Sequence, residues 1–375
     1  MGVYQRLGVQ PVINARGMNT MASGSLMPQA VLDAMAEASK SFVDMEELNR
    51  KAGEHIASRI GVEAAHVTSG SAGGLLLSAA AVITGDDMTA IVNLPDTTGL
   101  KNGIVIEKCR RIRYDQALRT AGARLIEVGD EDGCTPEQME AGIDDKTAAI
   151  IHIVSPYLGQ NGVPIETAIE IAHRHGLPII VDGASTLPPT SHLTRWTSMG
   201  ADLVIYSGGK GIRGPQGSGL LIGRKDLIRA AALNGAPNGA IGRPAKVSKE
   251  DIIGLVTAFD LFMDEDWTVE WAKHVEEARE IVSALDGLKG IDAIVDEDSS
   301  VWTTPTILIS VDESKTGLTP DQLVDRLRTG DPPILTRAFQ GKLLVDPHNL
   351  RGDEASIVAR RLREECSKIA VPVPA

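Results

Sequence analysis

The sequence predicts an α/β protein in which a large, mostly parallel sheet domain is followed by a small α+β C-terminal domain. Three observations carry this prediction. Between Val62 and Gly223, short apolar runs rich in β-branched residues alternate with helical stretches, the pattern of parallel strands whose connecting helices cover both faces. Beyond residue 300, strands and helices follow one another without that alternation. The chain has 375 residues, 43% of them apolar, enough for a large core and two closely joined domains. The expected boundaries are an N-terminal arm at 1–44, the large domain at 45–247, and a linking helix with the small domain at 248–375.

Only 3% of residues are aromatic, so Ala, Val, Ile and Leu must build the core. A formal net charge of −13 argues against an extended nucleic-acid-binding surface. Cys109, Cys134 and Cys366 lie far apart, which fits a reducing cytoplasm better than a disulfide framework or a metal site. There is no signal peptide, bilayer-length apolar stretch, repeat or low-complexity tract, so the expectation is a cytoplasmic protein without a membrane partner.

Taken in order, the arm carries a short helix after Pro28 with Val31, Leu32 and Met35 on one side, and a second helix runs from about Met45 to Ile60. Strands follow at Gly103–Glu107, Arg124–Val128, Thr147–Val154, Leu177–Val181 and Asp202–Tyr206, with a further one at Ser218–Gly223. A long helical region spans about Ser248 to Leu285. The small domain is then read as strands at Thr306–Val311, Ile334–Phe339 and Lys342–Val345, with helices at Pro320–Arg328 and Glu354–Cys366.

The stretch with most chemistry is Ser207-Gly208-Gly209-Lys210-Gly211-Ile212-Arg213-Gly214-Pro215-Gln216, a single lysine on a glycine-rich turn directly after an apolar strand. A lysine withdrawn from water loses charge more readily, and its neutral amine can attack a carbonyl. A surface lysine in a loop is the competing reading, and partners decide between the two. Upstream, the strand at Leu177–Val181 ends in Asp182, where open α/β sheets place functional groups. Further upstream, Thr68-Ser69-Gly70-Ser71-Ala72-Gly73-Gly74 opens a helix whose free N–H groups favour an anion. An anion cradle, a strand-end acid and a lysine, in that order, suit pyridoxal phosphate. Gly70, Ser71 and Ala72, with the Ser207 hydroxyl, would meet the phosphate. Asp182 would face the ring nitrogen, Ala184 would lie against one ring face, and Lys210 would hold the cofactor.

These motifs resemble the fold-type I, aspartate-aminotransferase-like pyridoxal phosphate enzymes. Tyr206-Ser207-Gly208-Gly209-Lys210 with Gly214-Pro215-Gln216 is similar to the lysine segment of the bacterial selenium transferases acting on seryl-tRNA, the selenocysteine synthase-like family. Asn14-Ala15-Arg16-Gly17, Asp182-Gly183-Ala184, and Leu327-Arg328-Thr329-Gly330-Asp331-Pro332-Pro333-Ile334 with Arg337 extend the likeness over most of the chain. Within that family the sequence resembles the shorter branch of D-glucosaminate-6-phosphate ammonia-lyases. It departs from the selenium transferases at Gly209, where they carry an acid, and in showing no separate N-terminal tRNA-binding domain.

The resemblance implies further site residues. In this fold a residue stacks on the cofactor ring from the position of the basic run Lys108-Cys109-Arg110-Arg111-Ile112-Arg113-Tyr114-Asp115; Arg110 and Tyr114 are the candidates. N-terminal arms often reach the active site, which makes Asn14, Arg16 and Thr20 candidates for substrate contact. Arg111, Arg113 and Arg213 are candidates for a substrate's far anionic end, and Arg337 for its carboxylate. Packing or surface ion pairing competes for each arginine. His152 and His192 flank the sheet ends, where a structural and a catalytic role both stand; His173 and His175 point apart on a helix and do not share a metal, and no metal site is expected.

The implied activity is that of a lyase removing the elements of water and then ammonia from a small hydroxy amino acid or amino-sugar acid, such as D-glucosaminate 6-phosphate. Lys210 would act as base and Asp182 would stabilise charge on the cofactor. A racemase or aldolase, a selenium transferase on seryl-tRNA, and a cofactor-free scaffold are the alternatives. The acidic charge opposes the selenium transferase, and the presence of both Asp182 and Lys210 opposes the scaffold. Fold-type I sites lie between subunits, so a homodimer or larger homo-oligomer is expected.

Overall fold

The computed structural model describes residues 2–158, 161–300 and 302–367. The chain forms two compact units, one of residues up to Ser25 together with those from Asp266 onward, the other of Leu26–Glu265.

The larger unit is built on a seven-stranded sheet. Its strands are β2 (Ala64–Thr68), β3 (Gly103–Glu107), β4 (Arg124–Val128), β5 (Thr147–Ile153), β6 (Ile179–Asp182), β7 (Leu203–Ser207) and β8 (Gly219–Gly223), in the spatial order β2-β8-β7-β6-β5-β3-β4. All neighbours from β4 to β7 are parallel, whereas β8 runs antiparallel between β7 and β2. The cause is the short loop between β7 and β8: a parallel return needs a crossover of about a dozen residues or more, usually a helix. The parallel pairing of β7 with β6, which sets Asp182 beside Ile205, places the loop carrying Lys210 at the same sheet end as Asp182.

Helices cover both faces. Of α1 (Gln29–Ala38), α2 (Met45–Ile60) and α3 (Gly70–Thr84), α3 is the best buried: Leu75, Leu76 and Ala79 pack on Ile104, Ile106, Ile151, Ile180, Ile205 and Leu221. Each such side chain taken wholly from water contributes roughly 1.5–3 kcal/mol. The approach is close because α3 is built of small residues; a Cβ on Gly74 would stand 2.7 Å from Ile205 Cγ2. On the opposite face the helix Ile165–Arg174 packs on β5 and β6, and the Tyr206 hydroxyl donates to the carbonyl of His192 at 2.8 Å.

In the smaller unit, β9 (Ile291–Asp296), β10 (Thr306–Val311), β12 (Arg337–Phe339) and β13 (Lys342–Val345) form an antiparallel sheet ordered β12-β13-β10-β9. Separately, β1 (Ile13–Asn14) pairs in parallel with β11 (Ile334–Leu335). Ile13, Ile281, Ile307, Leu323, Val345 and Leu362 share its core.

The unit boundaries fall at Ser25 and Glu265, away from 44 and 247, for identifiable reasons. Pairing of β1 with β11 ties the first residues to the C-terminal unit, while α1 packs on the helix Lys249–Asp264 and joins the large one. That packing buries Val31 and sets Met35 against Gly254, but leaves Leu32 41% exposed, off the buried face where the sequence had put it. The long helical region is two helices, Lys249–Asp264 and Trp267–Ser283. The Asp266 carboxylate caps the second by accepting from Thr268 N at 3.0 Å. Ile334–Phe339 is likewise two short strands serving different sheets, and β9 was not foreseen. No described helix is long and apolar enough to cross a membrane.

Candidate active site

Asp182 closes β6 and lies in register with Ile153 of β5 and Ile205 of β7. Only 4% of it is exposed, and its Oδ1 accepts from Ala184 N at 3.0 Å. Burial pushes its carboxyl up, opposed by that hydrogen bond and by the charge of Lys210. Lys210, half-buried on the loop after β7, is pushed down by burial and held up by Asp182. The two thus sense each other at one sheet end. A buried carboxylate there is incomplete without a cationic partner, and a desolvated amine is primed to attack a carbonyl. The loop geometry is exacting: a Cβ on Gly209 would stand 2.4 Å from Gln216 Cα, so a side chain has no room there.

The third element is the start of α3. Gly70 has φ +65° and Ser69 makes no side-chain cap, so the first N–H groups of the helix, at Gly70, Ser71 and Ala72, are left for an outside acceptor. Thr68 Oγ1 donates to Gly70 O at 2.9 Å and fixes the turn. Gly219 of β8 pairs with both Thr68 and Ser207. A Cβ at Gly219 would lie 2.4 Å from the Gly70 carbonyl carbon, so Ser207, Gly219 and Gly70 are packed together. Cradle, acid and lysine converge at one end of the sheet. Ala184 is half-buried two residues past Asp182.

Other candidates are committed elsewhere. The Arg111 guanidinium is bound by Asp115 and by Glu127 Oε1 at 2.6 Å, which hold its charge and hydrogen-bonding capacity; it is not a spare cation for substrate. Arg213, at φ +58°, pairs with Glu265 Oε2 at 3.3 Å. Arg113 and Tyr114 are exposed. Arg110 lies 3.0 Å from Glu107 Oε2 and donates to Ile153 O at 3.3 Å, which sets its guanidinium beside the strand carrying Ile153, the neighbour of Asp182. Asn14 spends its amide on Gly17 O and Ala22 O at 3.2 Å and Gly24 O at 3.4 Å, and its Oδ1 accepts from Arg16 N at 3.0 Å, so it shapes a turn. Thr20 opens an exposed turn.

His152 faces Glu107 Oε2 at 3.3 Å, and Glu107 Oε1 accepts from Val163 N at 2.6 Å. This buried carboxylate was overlooked, although a lone acid closing an otherwise apolar strand is a readable signal. His192 bonds through Nδ1 to Thr186 O at 2.8 Å; His173 and His175 go to Asp202 and Glu140 separately. Among the described residues no cluster of His, Cys, Asp and Glu could hold a metal. Arg16 and Arg337 belong to the smaller unit: Arg337 lies on β12, and Arg16 bridges in parallel to Asp346.

Residues 108–319 match the aminotransferase class-V family. The chain belongs to it. Three curated relatives and one solved structure are similar to it over most of its length. The chain is 34% identical to a 5'-C-glycyluridine monooxygenase-decarboxylase of Streptomyces sp, over 96% of this chain and 91% of that one. It is 33% identical to the D-glucosaminate-6-phosphate ammonia lyase of Salmonella typhimurium, over 96% and 97% respectively. A solved structure of a D-glucosaminate-6-phosphate ammonia-lyase superposes with a TM-score of 0.84 at 31% identity, covering 99% of both chains. The L-seryl-tRNA(Sec) selenium transferase of Aquifex aeolicus is more distant, 22% identical over 95% of this chain and 84% of that one.

The fold is therefore fold-type I, and the class-V cofactor is pyridoxal phosphate. The residues of this chain fit it. The uncapped start of α3 offers N–H groups to a phosphate, the buried carboxyl of Asp182 would meet the positive charge of a protonated ring nitrogen, and burial favours the neutral amine of Lys210.

Proposed function

We propose that this class-V enzyme is an ammonia-lyase acting on a small hydroxy amino acid or amino-sugar acid of the D-glucosaminate 6-phosphate type. The buried Asp182–Lys210 pairing at the mouth of the sheet carries the reading, and the 33% identity to the Salmonella typhimurium ammonia lyase supports it. We assign Lys210 and Asp182 as catalytic, and Gly70, Ser71, Ala72, Arg110, Ala184 and Ser207 as cofactor contacts, with Lys210 holding the group through Nζ. Arg16 and Arg337 are assigned to a substrate anion. Arg111 and Arg213 are withdrawn from that role, because their carboxylate partners already satisfy them.

Pyridoxal phosphate, when bound, supplies an electron sink for the substrate's Cα. The chain supplies the rest. Nζ of Lys210, freed when the substrate amine takes its place and favoured as the neutral amine by burial, would take the proton from Cα. The carboxylate of Asp182 would hold positive charge at the ring nitrogen and so keep the sink effective. The β-hydroxyl leaves with a proton as water, and hydrolysis of the released enamine gives the 2-oxo acid and ammonia.

One observation favours a second reading: the monooxygenase-decarboxylase relative is equally similar. A product screen of the purified holoenzyme against D- and L-hydroxy amino acids and amino-sugar acids separates the two. Ammonia and 2-oxo acid in equal amounts, without oxygen uptake, are expected. Carbon dioxide release coupled to oxygen consumption would overturn the lyase in favour of oxidative decarboxylation. Racemised or cleaved substrate without ammonia would indicate a racemase or aldolase.

The enzyme is further assigned as a cytoplasmic homodimer, since fold-type I sites are usually completed across two subunits. Sedimentation at assay concentration should give at least a dimer; an active monomer would contradict it.

A further inference from the structure

Glu107 closes β3 with a carboxylate to which the proposed chemistry gives no part. Its side chain is wholly buried. Oε1 accepts from Val163 N at 2.6 Å, while Oε2 stands 3.0 Å from Arg110 Nε and 3.3 Å from His152 Nδ1. Burial pushes His152 down, so its imidazole is neutral at neutral pH and the negative charge of Glu107 is left to Arg110. Neither Glu107 Oε2 nor Arg110 Nε completes an aligned hydrogen bond among the described residues, so what the carboxylate gives the guanidinium is charge.

The Arg110 side chain is 11% exposed and is confined from three sides. Glu107 is the first. Nη1 donates to Ile153 O at 3.3 Å. The backbone at Gly162 lies against the pair: a Cβ there would stand 2.5 Å from Glu107 Oε1, 2.6 Å from Arg110 Nε and 3.0 Å from Nη2. That backbone is itself tied down, since Asn161 O accepts from Cys134 N at 3.1 Å. All of this stands at the Asp182 end of the sheet, where Ile153 lies opposite Asp182 and Val154 N donates to Asp182 O at 2.9 Å. A long side chain loses much rotamer freedom when ordered, and a buried guanidinium without a counter-charge is strongly disfavoured. Glu107 offsets both. It also neutralises a cation that would otherwise face a cofactor whose ring nitrogen is positive, and like charges repel.

We infer that Glu107 is a positioning residue, which fixes the Arg110 guanidinium and balances its charge for contact with the cofactor. The inference rests on Arg110 as a cofactor contact, and on no choice of reaction.

The test is titration of apo-protein with pyridoxal phosphate, followed by absorbance, on the parent, Glu107→Gln, Arg110→Met and the double variant. Glu107→Gln removes the charge while keeping the volume and an acceptor for Val163 N; urea denaturation verifies that each variant folds. Arg110→Met should weaken cofactor binding about ten- to thirtyfold and Glu107→Gln about three- to tenfold. The double variant should bind no more weakly than Arg110→Met, because a residue that acts through another adds nothing once the other is gone. Gly162→Ala keeps both charged groups and displaces their ends, so it should weaken binding as Glu107→Gln does, and it stands in for the double variant if that does not fold. Parent-like affinity in either Glu107→Gln or Gly162→Ala, with Arg110→Met weakened, would overturn the inference and leave the Arg110 contact standing. Additive losses in the double variant would also overturn it, leaving Glu107 a structural residue alone. Parent-like affinity in Arg110→Met would remove the Arg110 contact itself, and the inference with it.

Discussion

Substituting Gly219 with alanine perturbs the cradle without touching a chemical group. The added Cβ would stand 2.4 Å from the Gly70 carbonyl carbon, 2.5 Å from its oxygen and 2.7 Å from Thr68 Oγ1. Contacts between such atoms settle near roughly 3.5 Å, so about 1 Å must be found, and the obstacle is backbone, not a flexible side-chain end. Gly219 is hydrogen-bonded into both neighbouring strands, so the turn at Gly70 must yield and the first N–H groups of α3 move with it. Overpacking of this kind costs about 1–3 kcal/mol of stability. Loss of one charge-assisted hydrogen bond to the cofactor phosphate costs about 1.5–3 kcal/mol, about ten- to hundredfold in affinity. The assay is titration of apo-protein with pyridoxal phosphate followed by absorbance, beside urea denaturation. Gly217→Ala is the control, since the nearest atom to its Cβ is Asp251 Oδ2 at 4.0 Å; it should behave as the parent. Parent-like affinity and stability in Gly219→Ala would refute the placement of the phosphate at α3.

Two other predictions address the acid and the pH response. Asp182→Asn should retain the cofactor but lose turnover by on the order of a hundredfold, because the amide cannot hold the positive charge at the ring nitrogen; steady-state kinetics at saturating cofactor would show it. His66 is pushed down by burial from 6.5 to about 4. Above 6.5 both folded and unfolded imidazoles are neutral, whereas between 6.5 and about 4 only the unfolded chain takes up the proton, so stability falls as pH falls across this window. The loss is about 1.4 kcal/mol per pH unit, ~3 kcal/mol in total. Urea melts from pH 7 to 4 should show a shallower decline for His66→Gln, and parallel declines would contradict the assignment.

What was legible in the sequence follows from how local its causes are. β3, β4 and α2 sit within the ranges read from the sequence, because β-branched stretches bounded by glycine act within a few residues and the Asp44 carboxylate caps α2 just as locally. The convergence of Gly70, Asp182 and Lys210 was readable because each follows or closes a strand, and one sheet orders all three ends. The ion pair of Arg111 with Glu127 was not legible in the sequence because the two meet only once β4 lies beside β3. The grouping of β1 with the C-terminal unit depends on pairing between opposite ends of the chain, for which local patterning carries no signal. The break at Asp266 was available as a helix-capping acid and was obscured by its acidic neighbours, two of which are taken up by Arg59 and Arg213.

The central claim is that Lys210 holds the cofactor. Borohydride reduction of the holoenzyme, followed by proteolysis and mass spectrometry, tests it directly. A reduced phosphopyridoxyl group on Lys210, with loss of the visible absorbance band and of activity, is the predicted result. The group on any other lysine, or a holoenzyme that carries none after reduction, would contradict it.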